Sequence, residues 1–169
     1  LSNERPRVRK ESAATLGKLG KKSASAVPEL QKLIEDEVPE VRLQALVALA
    51  EIGPDSKSAV PDLMGLLNDP ELPIRRTSAY ALGRIGAEAK EAVPSLHRMA
   101  ASRNNLEKTV AAWALVKIAP DDDNKSLAVP LLIEALAHLP NSEAWIVGDG
   151  GDVYAEQVRL AKDLADRLG

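Results

Sequence analysis

Hydrophobic positions along the chain fall at helical spacings in short segments, and the clearest of these segments ends at a glycine. Its apolar side chains lie three or four positions apart, at Val41, Ala45, Leu49 and Ile52, which places them on one face of an α-helix. Gly53 follows directly. Glycine enters the left-handed conformation without the steric cost of a Cβ atom, so the pattern predicts a helix that ends there.

A second helix is predicted after a short polar connection. The connection, PDSKSAV, leads to Pro61, and proline is best tolerated in the first turn of a helix, where its missing N–H would have no partner. The next helix presents Leu63, Leu66 and Leu67 on one face before NDPELP ends it. Each unit is therefore a pair of antiparallel helices, here called A and B.

The same unit returns along the chain at a nearly fixed interval. The tripeptide Ala-Val-Pro begins at residues 26, 59, 92 and 128, with steps of 33, 33 and 36 residues. One helix pair cannot bury its apolar face alone, so neighbouring pairs are expected to stack. The predicted fold class is all-α: an α-solenoid, or superhelix, of two-helix repeats of about 33 residues.

An Asp and an Arg recur with this unit. Asp36 is followed six positions later by Arg42, and Asp69 is followed at the same distance by Arg75. With these residues and this period the sequence resembles HEAT repeats, in the short bacterial form also seen in phycobilin lyases. The resemblance implies that this Asp and this Arg bond across the turns between neighbouring repeats, and that the B helices line the concave face.

The repeats predict a single domain with an irregular end. The expected parts are repeats at 1–36, 37–69, 70–102 and 103–139, an insertion at 140–155 and a terminal helix at 156–169. The resemblance to HEAT repeats covers the four repeats well and the terminal helix more weakly. Alignment by period puts Leu1 at the position of Ile34, in the last turn of a B helix, so we expect a fragment of a longer array.

Composition and charge narrow the choice of partner. The 25 acidic and 22 basic side chains give a formal charge of −3, which supplies no overall field to attract nucleic acid or anionic lipid. Basic residues cluster near the N-terminus, but no row of aromatic side chains accompanies them, and stacking on single strands would need one. No apolar run approaches the roughly 18 residues of a membrane span. We therefore expect a monomer that binds neither nucleic acid nor membrane.

The B-helix surface carries the candidate binding residues. The position after the first core leucine of each B helix is expected to point outwards, and its chemistry changes from repeat to repeat. Solvent-facing positions without a function also vary, but the apolar Met64 and Ile133 are less expected on a purely solvated face. The predicted partner-binding residues are Gln31, Met64, His97, Arg98 and Ile133, with Trp145 and Tyr154 as edge contacts.

Candidate metal ligands are few. In the insertion, Asp149 and Asp152 could offer oxygens to Ca²⁺, but their spacing does not fit an EF-hand loop. A connection in which Asp152 caps the last helix is the simpler interpretation, and a ligand or partner contact stays open. The acidic run 121–123 precedes a predicted helix, where negative charge is favourable anyway. His97 and His138 lack acidic partners at ligand spacing, so no metal, cofactor or catalytic residue is predicted.

These observations favour a non-catalytic scaffold that binds a protein or peptide along the concave B-helix face. The alternative is a lyase-like or regulatory repeat domain attached to a larger enzyme, as the resemblance to phycobilin lyases allows. Bilin handling would need a cavity with acid–base groups, and the sequence shows no candidates for them. The cellular compartment is left open.

Overall fold

The computed structural model describes residues 4–137, and within this range the chain is helical without any strand. The α-helices are α1 (Pro6–Leu19), α2 (Val27–Leu33), α3 (Pro39–Ile52), α4 (Val60–Leu66), α5 (Leu72–Ile85), α6 (Val93–Ala100), α7 (Asn105–Ile118) and α8 (Asp122–Ala137). The predicted all-α solenoid of two-helix repeats is confirmed. Predictions for Leu1, His138, Trp145, Tyr154, the insertion at 140–155 and the terminal helix lie outside the described residues.

The odd-numbered helices are the A helices and the even-numbered ones are the B helices. Each A helix contacts the A helix of the next repeat, and α2, α4 and α6 each pack against the A helix that follows them. The core between the two layers repeats one position four times, because Leu30, Leu63, Leu96 and Leu132 are all buried. Stacking therefore buries the apolar face that a single helix pair would leave exposed.

The N-terminus of each A helix is marked by a proline in its first turn or by a capping asparagine. Proline occupies the first or second position of α1, α3 and α5, where it forfeits no intrahelical hydrogen bond. In α7 the side chain of Asn104 caps the helix instead and accepts a hydrogen bond from the backbone N–H of Glu107 at 3.1 Å. The four A helices are each 14 residues long.

The connection from A to B differs from the prediction in two respects. Gly53 has a positive φ of 75°, as expected, but its ψ of −133° lies outside the left-handed helical region. That backbone conformation is also one that glycine adopts readily because it lacks Cβ. The predicted loop after it is a 3₁₀ helix, Gly53–Ala59, which Ser56 ties to α3 by donating to the carbonyl of Leu49 at 2.9 Å. The earlier and later repeats have equivalent 3₁₀ helices, Gly20–Ala26 and Gly86–Ala92.

The fourth repeat departs from this design. Ala119 replaces the glycine and has a φ of −141°, which an L-residue adopts without strain. The predicted loop PDDDNKSLAV is mostly helical, since α8 begins at Asp122 and runs past Pro130, which lies inside the helix rather than in its first turn. Asp121 caps it by accepting from the backbone N–H of Asn124 at 2.8 Å. The acidic run thus lies at a helix N-terminus, where the helix dipole stabilises negative charge.

Candidate functional site

Arginine–carboxylate pairs join neighbouring repeats. The first pair lies within repeat 1–36, at its end: Arg9 of α1 forms a two-pronged contact with Asp36, with Nε 2.7 Å from Oδ2 and Nη2 2.8 Å from Oδ1. Both side chains are largely buried. The hydrogen bond from Arg9 is the main reason that the pKa of the Asp36 carboxyl lies below its usual range, against the opposing effect of burial. Asp36 thus binds an arginine through its carboxylate, but that arginine is Arg9 rather than the expected Arg42, which donates to the backbone carbonyl of Asp36 at 2.9 Å.

In the next two repeats the acid that receives the arginine changes. Arg42 pairs with Glu71, and Arg75 pairs with Glu107 at 2.6 Å. The Asp69 carboxylate instead accepts from the backbone N–H of Glu71 at 2.8 Å. The expected Asp–Arg contact six positions apart is made through the backbone, because Arg75 donates to the carbonyl of Asp69 at 2.7 Å.

Glu107 is a functional substitute that the sequence analysis missed. Ser102 stands at the position of Asp69, one period later, and is too short to reach an arginine as a charged partner. Its hydroxyl donates to Glu107 at 2.5 Å while Arg75 binds the other carboxylate oxygen. Burial opposes the charged form of Glu107, but these two hydrogen bonds outweigh it and hold its pKa below the usual range. The sequence did hold one sign of this role: Glu107 is an acid at a position where the preceding repeat has the apolar Ile74.

The row expected to point outwards lies partly in the grooves between B helices. Gln31 is half-buried, and its amide reaches the next repeat, donating to Asp62 at 2.8 Å and accepting from Ser58 at 3.1 Å. The expectation that Gln31 faces solvent is wrong in this respect. The physical reason is that successive residues of an α-helix turn by about 100°, so the residue after Leu30 faces the neighbouring helix rather than the opposite side.

The other predicted residues differ in exposure. Met64 is half-buried and packs against the core, so the expectation that it is freely exposed is also wrong. His97, at the same helix position, is half-buried. Ile133 is 52% exposed and Arg98 is exposed. Of the described candidates, Arg98 and Ile133 are therefore the ones that present most surface to a partner.

A cleft of about 360 Å³ opens between the C-terminal end of α4 and α6, and residues of α5 and α7 also line it. Its apolar part is formed by Leu67 and Met99. Its polar part is formed by Asn68, Arg75, Ser95, Arg98, Ser102 and Glu107. The cleft thus joins the Arg75–Glu107 pair to one predicted partner-binding residue, Arg98.

Comparison with known proteins places this architecture in a family. The family model for HEAT repeats matches residues 1–83 and again residues 32–116, which together span more than half of the chain. The chain belongs to the HEAT repeat family. The resemblance predicted from the Asp–Arg spacing is confirmed at this level, whereas the finer likeness to the phycobilin-lyase form stays a prediction.

No curated protein matches the HEAT repeats of this chain. Among solved structures, the crystal structure of an engineered protein is similar, with a TM-score of 0.59 and 24% sequence identity. The match covers 86% of this chain and 72% of that chain. At this identity the likeness supports the solenoid fold alone.

The described part of the chain holds neither a cluster of metal-ligating side chains nor a membrane-spanning helix. Within residues 4–137, no group of three or more His, Asp or Glu side chains lies close enough together to hold a metal ion. None of the helices in that range is both long enough and apolar enough to span a membrane.

Proposed function

We propose that these HEAT repeats are a non-catalytic scaffold that binds a protein or peptide along the concave face formed by the B helices. HEAT repeats generally serve in protein interaction, and the described surface carries variation of the kind that a binding face needs. The position two residues after each core leucine is exposed in all four repeats, yet the residue there is different in each of them. These residues are Lys32, Gly65, Arg98 and Glu134.

This contrast between core and surface is the observation that carries the proposal. The leucines that set the fold are identical and buried in all four B helices, so packing explains them. Packing does not explain why one exposed position holds a basic residue in two repeats, a glycine in another and an acidic residue in the fourth. A scaffold whose repeats are held by arginine–carboxylate pairs would present such a pattern in a fixed arrangement, which lowers the ordering cost of binding.

The proposal is tested by affinity capture from a lysate of the source organism with three baits. The first is the unaltered chain. The second carries Lys32→Glu, Gly65→Glu and Ile133→Glu, which place negative charge on three exposed positions of α2, α4 and α8. A cavity is created at none of these positions, and a Cβ at Gly65 would meet no atom within 4 Å.

The third bait is a matched control with the same change in charge on an A helix. It carries Lys18→Glu, Thr15→Glu and Leu19→Glu, all exposed in α1. Leu19, at 53% exposure, matches Ile133 at 52%. A protein retained by the unaltered chain and the control but lost from the B-face bait supports the proposal. Equal capture by all three baits, or no specific capture, contradicts it.

A further inference from the structure

We propose that the cleft between α4 and α6 binds the carboxylate of an acidic side chain on a peptide or protein partner. This inference rests on the proposed scaffold function and names one contact within it. It is carried by the arginine N–H groups that the cleft holds without acceptors, next to a carboxylate whose oxygens are already bonded.

The carboxylate that lines the cleft, that of Glu107, already accepts a hydrogen bond at each of its two oxygens. Glu107 accepts from Arg75 through one oxygen, at 2.6 Å, and from Ser102 through the other, at 2.5 Å. It is buried, with only 6% of its surface exposed. Glu107 is therefore poorly placed to receive a basic side chain of a partner, since any new donor would have to displace one of these two short hydrogen bonds.

The two arginines that line the cleft, Arg75 and Arg98, donate hydrogen bonds from only some of their N–H groups to residues of the described range. Arg98 donates from Nη2 to the hydroxyl of Ser95 at 2.9 Å, and its Nε and Nη1 have no acceptor among residues 4–137. Arg75 uses Nε for Glu107 and Nη1 for backbone carbonyls, while its Nη2 has no acceptor in the same described range. Two guanidinium groups thus border one cleft with donors to spare.

These donors match a carboxylate better than other acidic groups. The planar guanidinium offers parallel N–H bonds to the two oxygens of a carboxylate. Leu67 and Met99 supply an apolar surface on which the methylene groups of a Glu or Asp side chain can pack. A phosphate would bring more negative charge towards the Glu107 carboxylate, which borders the same cleft. A single carboxylate is therefore the acid that this environment favours.

Neighbouring repeats show why this cleft is distinctive. Between α2 and α4, Gln31 bridges the two repeats by a hydrogen bond to Asp62 at 2.8 Å. In α4 the equivalent of Gln31 is Met64, which has no group to bridge the gap, and the exposed residue after it is Gly65, with open space around it. The hydrogen bond by which Gln31 bridges α2 and α4 therefore has no counterpart from Met64 between α4 and α6.

The test is a titration of the ¹⁵N-labelled 169-residue chain, followed through the Nε–H resonances of its arginines by NMR. The probe is N-acetylglutamic acid α-amide, whose only charge is its side-chain carboxylate. We expect saturable shifts at Arg98 and weakening of binding by about tenfold in Arg98→Gln, the loss of a charge-assisted hydrogen bond. Arg103→Gln, the same change at an exposed arginine that does not border the cleft, should leave the titration unchanged.

Three outcomes would overturn the assignment. Shifts at Arg98 and Arg103 that are equal and do not saturate would show only general attraction between charges. Absence of any shift at Arg98 would show that the cleft does not bind the carboxylate. Tighter saturable binding of inorganic phosphate at Arg98 than of the glutamate probe would indicate a phosphate-bearing partner instead.

The failure of this inference can be told apart from failure of the scaffold function. A captured partner that is lost from the Lys32, Gly65 and Ile133 bait but is bound equally well by Arg98→Gln would leave the scaffold function standing and overturn the role of the cleft. Saturable binding of the glutamate probe without any captured partner would support the carboxylate site and contradict the scaffold function.

Discussion

The first three repeats and the fourth solve the same packing problem with different residues. In the first three, a glycine with positive φ turns the chain from helix A into a 3₁₀ helix. In the fourth, Ala119 takes an ordinary extended conformation and a longer B helix, α8, replaces the 3₁₀ helix. Likewise Arg75 is received by Glu107, which aligns with Ile74 of the preceding repeat, whereas Arg42 is received by Glu71. The contact is retained while the residue that makes it moves.

The largest effect is expected from a substitution at Gly83, where α5 of the third repeat packs against α7 of the fourth. A Cβ there would lie 2.3 Å from Cζ3 of Trp113, a buried ring stacked on Tyr80 with centroids 5.1 Å apart. We expect Gly83→Ala to lower the free energy of unfolding by about 3 kcal/mol, the range of overpacking in a tight core. Urea denaturation followed by circular dichroism measures the change.

Gly17 provides the matched control, because it occupies the same position two periods earlier. A Cβ there would lie 3.2 Å from Cα of Ala48, and the gain of about 1 kcal/mol in helix propensity offsets that close contact. Gly17→Ala should therefore be nearly neutral. The loss caused by Gly83→Ala should shrink in a Trp113→Leu background, and an undiminished loss there would contradict the proposed clash.

The second largest effect is expected at the acid that joins the third and fourth repeats. Glu107→Gln leaves Arg75 without a charged partner in a buried site, and we expect a loss of about 2 kcal/mol in the free energy of unfolding. Glu71→Gln removes the equivalent acid where its side chain is 41% exposed, so solvent screening should reduce that loss to below about 1 kcal/mol. Losses of equal size would show that burial of Glu107 does not matter.

The same acids predict how stability depends on pH. The pKa values of Asp36 and Glu107 are lowered in the folded chain, so their contribution is complete above the unfolded-state values of about 4. It is lost as the pH falls through the lowered values of the folded state. Urea midpoints measured at about pH 6 and about pH 3 should therefore differ less in Glu107→Gln than in the unaltered chain. An identical acid-induced loss in both would contradict the assignment.

The smallest effects are expected at the helix A to helix B connections. Gly53→Ala forces a side chain into a φ of 75°, a sparsely populated backbone region, and we expect a loss of about 1 kcal/mol. The reverse change, Ala119→Gly, relieves no backbone strain, because Ala119 has an ordinary φ of −141°. It should lower the free energy of unfolding by about 0.5 kcal/mol, because glycine makes the unfolded chain more flexible. Thermal unfolding of both variants measures the difference. A larger loss for Ala119→Gly would show that the fourth connection is the more constrained one.

The sequence predicts what depends on local periodicity. The buried positions Leu30, Leu63 and Leu96 follow from spacing alone, because helical geometry fixes which residues share a face. The glycine that ends each of the first three A helices follows from the same repeat. Contacts between repeats were harder to predict. Gln31 reaches Asp62, and Arg75 reaches Glu107, across about 30 residues of sequence. Which acid an arginine meets there depends on the rotation between repeats, which no local pattern encodes.

The central claim, that the B helices form the binding face, is tested most directly by photo-crosslinking. A benzoylphenylalanine is placed at Gly65, exposed in α4 with open space around it, and separately at Lys18, exposed in α1. Each variant is irradiated in a lysate of the source organism, and the products are identified by mass spectrometry. We predict a discrete protein adduct from Gly65 that is absent from Lys18. The same adducts at both positions, or an adduct at Lys18 alone, would contradict the claim.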